Sequence, residues 1–124
     1  MRRQPVRTWL CTLLFVSLGS VCLSQTSGAQ EIPSAPQDCV LDQAGVLTPA
    51  QRTTIRTTIV ELERDTGAEF GVLIKGSCTP AQSADYATEV FNHWGIGKAS
   101  ENNGVLLTLL IDDRRVEITP GDGY

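Results

Sequence analysis

Apolar residues fall into blocks of different period along the chain. Trp9 to Leu23 is a largely apolar stretch. After a polar stretch, Ile55, Ile59 and Leu62 recur at helical spacing, and Thr48-Pro49-Ala50-Gln51 ahead of them carries a cap residue, a proline at the first helical position and a capping-box glutamine. Gly67 supplies the stop. Glu69 to Lys75 (EFGVLIK) reads as a buried strand. Thr79-Pro80-Ala81-Gln82 repeats the cap pattern before a helix with Tyr86, Val90, Phe91 and Trp94 on one face, ending at Gly95. Lys98 to Gly104 is a polar loop. Val105 to Ile111 (VLLTLLI) is a nearly continuous apolar strand, the pattern of a strand covered on both faces. Asp112-Asp113 turns the chain, and Arg115 to Thr119 returns with Val116 and Ile118 on one side.

The predicted order is α-β-α-β-β. A helix joins the first two strands, so they are expected to be parallel, and the second and third form an antiparallel hairpin. The fold class is α/β: a small mixed sheet packed against helices.

The first block is different in kind. Arg2, Arg3 and Arg7 precede the apolar run, and Ser27-Gly28-Ala29 places small residues where a signal peptidase reads, so residues 1–29 are expected to be a leader cleaved after Ala29. A run of about 15 apolar residues falls short of the about 20 that span a bilayer. The predicted organisation is a leader over 1–29, a proline-bearing linker over 30–38 and one α/β domain over 39–124. The expected location is periplasmic or extracellular, with no membrane span once the leader is removed.

Loss of the leader changes the charge. Residues 30–124 keep seven Lys and Arg against fourteen Asp and Glu, a formal net charge of −7. No basic face remains to neutralise phosphates, so a nucleic-acid partner is not expected. An acidic surface suits cations or basic partners. Cys39 and Cys78 remain after cleavage, and export leads us to expect a Cys39–Cys78 disulfide; two separate buried thiols are the alternative.

Topology suggests which residues meet. The first helix, folding back beside the first strand, is expected to bring Cys39 and Asp42 near Cys78 and near Asp112 and Asp113, at the carboxyl ends of the strands. Carboxylates there suit Ca²⁺ or Mg²⁺, and helix N-termini suit anions. Asp112 or Asp113 is then a candidate ligand or general base. The plainer reading is that Asp42 caps a turn and that Asp112-Asp113 is hairpin-turn chemistry. The opposite end gathers Trp94-Gly95-Ile96-Gly97, Asn102-Asn103-Gly104 and Gly121-Asp122-Gly123, where Asn103 and Asp122 offer oxygens or merely shape tight turns. His93 is the only histidine, which excludes a His-rich metal site.

Val40-Leu41-Asp42-Gln43-Ala44-Gly45-Val46-Leu47-Thr48, Leu62-Glu63, Thr66-Gly67-Ala68-Glu69, Trp94-Gly95-Ile96-Gly97, Asn103-Gly104-Val105-Leu106-Leu107, Asp113-Arg114 and Gly121-Asp122-Gly123, taken in order, resemble the TPM domain family. The resemblance implies an α/β sandwich outside the cytoplasm, divalent-cation binding with Ca²⁺ the usual ion, and acid phosphatase activity. It carries over Asp42, Asn103, Asp113 and Asp122 as cation ligands. Members of the family continue past the G-x-G with further helices, whereas this sequence stops at Tyr124, so a partial domain is expected. Two functions follow: a metal-dependent phosphomonoesterase with Asp112 and Asp113 at its centre, or a non-enzymatic module that binds an envelope or membrane protein partner.

Overall fold

The computed structural model describes residues 30–78 and 82–124. The expected leader over 1–29 and the Thr79–Ala81 part of the second cap pattern lie outside the described residues. The elements are β1 (Val40–Asp42), α1 (Pro49–Thr66), β2 (Glu69–Lys75), α2 (Ser83–Trp94), β3 (Gly104–Leu110) and β4 (Arg115–Pro120). They form one four-stranded sheet in the order β1-β2-β3-β4, parallel except for the antiparallel β3–β4 hairpin. Among the described residues no helix is long and apolar enough to cross a membrane.

Local chemistry accounts for α1. The Thr48 hydroxyl accepts from the Gln51 amide at 3.2 Å, while the Gln51 side chain accepts from the Thr48 amide at 2.9 Å, closing the expected box. Gly67 ends the helix at φ 74°, and its N–H donates to the Glu63 carbonyl. The second helix differs from expectation at its start: α2 begins at Ser83, and its cap residue Gln82 makes no side-chain cap bond. It ends at Gly95, φ 63°.

Each helix covers one half of one face. On the α1 side Ile59 packs with Val40, Val72 and Ile74. On the α2 side Tyr86 and Val90 pack with Leu73, Cys78, Leu106 and Leu110. Full burial of each such side chain contributes about 1.5–3 kcal/mol. α1 packs on β1 and β2, and α2 on β3 and β4. Among the described residues no helix therefore lies over the α1 side of the hairpin. Val105, Leu107 and Leu109 are half-buried there, and their partners Val116 and Ile118 are 56% and 66% exposed. The continuous apolar run of β3 suggested two covered faces; the structure covers one, because α1 stops short of it.

The expected disulfide is corrected. β1 was not read as a strand, and it changes where Cys39 lies. The Cys39 carbonyl accepts from Val72 at the start of β1, whereas Cys78 follows the far end of β2. Val72 to Lys75 alone spans about 10 Å of strand, while disulfide-bonded residues need Cα atoms within about 7 Å. The Cys39–Cys78 disulfide is not formed; both thiols are free. Part of the 30–38 segment contacts the domain. Ile32 packs against the α2-side core, the Trp94 indole N–H donates to the Pro33 carbonyl at 2.8 Å, and the Cys78 thiol donates to the Gln30 side chain at 2.7 Å.

Candidate functional site

At the carboxyl end of the strands the acidic residues arrive as topology suggested, but each is engaged by its own turn. Both Asp42 oxygens accept backbone N–H groups, from Gly45 and Leu47 at 2.8 Å each. Burial opposes its ionisation, yet the amides of Leu47, Val46, Gly45 and Ala44 outweigh it and hold the carboxyl below the usual carboxylate range. Asp113 accepts from the Cys78 amide and the Ser77 hydroxyl, both at 2.9 Å, and its pKa is likewise lowered, first by the Cys78 amide and then by Ser77. Asp112 lies over the turn after β2: a β-carbon at Gly76 would meet its carboxylate at 2.9 Å.

Asp42 ends β1 and Asp112-Asp113 follow β3, with β2 between them. The two backbones are about 10 Å apart. Asn103 and Asp122 stand at the other end. Asn103 accepts from the Lys98 amide at 3.0 Å and donates to the Gly67 carbonyl at 2.9 Å and the Glu101 carboxylate at 2.7 Å. Asp122 is exposed in the closing turn. Among the described residues no three acidic, cysteine or histidine side chains are grouped to hold a metal ion. Asp42, Asp113, Asn103 and Asp122 thus do not form one ligand set for Ca²⁺ or Mg²⁺.

The amino end of the strands is built differently. Gly97, Gly104 and Gly121 permit backbone-to-backbone packing of the loops: a β-carbon on Gly97 would lie 2.6 Å from the Gly104 nitrogen, one on Gly104 would collide with the Ile96 carbonyl, and one on Gly121 with that of Asn102. β1 pairs only with Val72 to Ile74, so the Glu69–Gly71 edge of β2 has no strand beside it. Glu63 substitutes for the missing strand by accepting the Phe70 N–H at 3.1 Å. Glu69 accepts the Gly97 N–H at 2.8 Å.

The open edge leaves a recess of about 310 Å³ lined by Ala35, Pro36, Cys39, Glu63, Glu69, Phe70, Gly71, Trp94, Gly95 and Ile96. Gly71 sets its floor, since a β-carbon there would come 2.7 Å from the Ile96 side chain. Cys39 joins the wall with φ 62°, and burial, followed by the charges of Glu63, Asp38 and Glu69, pushes its thiol up. In the recess an apolar, aromatic lining meets carboxylates in a concave site. Glu63 and Glu69 were missed as site residues. Their signal was present, since both lie inside the quoted motif pieces, but sequence alone gave them no partner.

A model of the TPM domain matches residues 40–124. The chain belongs to the TPM domain family. Among solved structures it is similar to the N-terminal domain of a P. gingivalis protein, 32% identical over 69% of this chain and 55% of that one, TM-score 0.62. It also shares its fold with the N-terminal domain of cg2496 from Corynebacterium glutamicum, 18% identical over 77% of this chain and 61% of that one, TM-score 0.60. This TPM chain therefore spans less than two thirds of either domain. No curated protein matches it.

Proposed function

We propose that this TPM domain is an exported binding module whose recess, at the amino end of the strands, takes a group presented by an envelope protein. The observation that carries this reading is the recess itself, preformed by the unpaired edge of β2 and floored by Gly71. Its groups favour holding over catalysis. The Cys39 thiol is shifted away from the reactive thiolate, and Glu63 and Glu69 are each oriented by a backbone amide. The three-part leader supports export. A photo-crosslinker at Ala35, an exposed residue on the rim, should give a discrete adduct in producing cells that weakens in Glu69→Gln. One at Val60, on the far surface of α1, should give none. Equal labelling from both positions, or none from Ala35, would overturn the reading.

The second reading is a divalent-cation-dependent phosphomonoesterase. Two observations favour it: Asp42, Asp112 and Asp113 stand at the carboxyl ends of two parallel strands that flank β2, where α/β sheets commonly bind ligands, and the family is also labelled TPM phosphatase. It requires turnover of a chromogenic phosphate ester with Mg²⁺, Mn²⁺ or Ca²⁺ that Asp113→Asn abolishes, and a melting temperature that rises with the ion. Background turnover by folded protein and identical melting with Ca²⁺ and with chelator would dismiss it.

A further inference from the structure

We infer that the recess binds a guanidinium group, presented as an arginine side chain of a partner polypeptide. This rests on the binding-module reading and gives the ligand its chemistry. The volume, about 310 Å³, lies at the small end of ligand pockets and suits one long side chain. Trp94, Phe70, Ile96 and Pro36 offer aromatic and apolar surface for a methylene stem and a flat cation. An aromatic face attracts such a cation.

The carboxylates supply the other half. Glu63 spends one oxygen on the Phe70 amide and Glu69 one on the Gly97 amide. These bonds fix the side chains, and among the described residues the second oxygen of each has no hydrogen bond and no ion pair. Among the described residues, Arg52 and Arg56 pair with Asp38, Arg64 with Asp65 and Lys98 with Glu101. Two oriented carboxylates with unspent acceptors beside an indole match a planar, forked donor better than a point charge. The charges of Glu63, Asp38 and Glu69 also raise the Cys39 thiol, after burial itself, which gives the sign of the field inside the recess. An anionic ligand would be repelled by the same field.

The test is an NMR titration of the full chain with a short peptide holding one central arginine, with its citrulline counterpart, and with N-acetyl-arginine amide. The arginine peptide should move the Trp94 indole and the Gly95–Gly97 amides. Citrulline, neutral but nearly isosteric, should bind at least about tenfold more weakly, and Glu63→Gln and Glu69→Gln should each weaken the arginine peptide by about tenfold. Glutamine keeps an acceptor for the backbone amide, so these variants retain the local fold. Tighter binding of the peptide than of the free amide identifies a polypeptide source; equal binding identifies a small guanidinium compound and overturns the polypeptide assignment. If citrulline binds as well as arginine, the guanidinium proposal is lost while the recess reading stands. If arginine moves no recess resonance while the Ala35 adduct forms, the ligand class is wrong and the module reading survives. Failure of both experiments removes both.

Discussion

The two ends of the sheet carry the same residue type and use it differently. At the carboxyl end, Asp42 gives both oxygens to its own loop and Asp113 gives its carboxylate to Ser77 and Cys78. At the amino end, Glu63 and Glu69 give one oxygen each, and the missing stretch of β1 leaves a hollow in front of them. Acidity therefore does not distinguish a cap from a binding group here. What distinguishes them is the acceptor capacity left after the backbone is satisfied, together with the space into which it points.

The comparison can be broken by substitution. The largest effect is expected from Gly104→Ala, which sets a β-carbon against the Ile96 carbonyl where backbone meets backbone. A loss of about 3 kcal/mol in urea unfolding is expected, and unfolding like the parent would show that the amino end is not a rigid frame. Asp42→Ala strands two loop N–H groups at the carboxyl end and should cost about 1–2 kcal/mol, while Glu63→Gln should melt close to the parent. If the two variants melt alike, capping and binding roles are not separable in this way. Thr48→Ala removes half of the capping box and should cost about 1 kcal/mol by thermal melting.

The smallest effect concerns acid. Asp38, held down chiefly by its bond to Arg52, and Asp42 and Asp113, held down by amides, all have folded pKa values below the unfolded ones. Their contribution to stability is complete above about pH 4 and lost as pH falls through the folded values. Stability measured from pH 5 to 2 should decline, and Asp42→Asn should make the decline shallower. An unchanged slope would detach Asp42 from it.

Much of the fold was legible because its signals are local and periodic. The Thr48–Gln51 box, the Gly67 and Gly95 stops and the β2 and hairpin strands stand where the sequence indicated. β1 escaped because three residues carry no period, and its parallel pairing is a tertiary fact. That omission misplaced Cys39, and with it the expected disulfide. Ile32, a lone apolar residue among prolines, gave no sign that residues 30–36 dock on α2. Topology indicated the end of the sheet at which Asp42, Asp112 and Asp113 lie, but not that β2 stands between Asp42 and the other two; the recess arises from strand that is absent beside Glu69–Gly71.

Ile59 is the only buried residue of α1, against four in the shorter α2. Thr53, Thr54, Thr57 and Thr58 each return a hydroxyl to the carbonyl four residues back instead of adding apolar cover. A helix so lightly anchored is where the native protein should first let solvent deuterium reach its amides. That opening would lift the carboxylate of Glu63 away from Phe70, so occupancy of the recess should slow isotope exchange along the whole of α1.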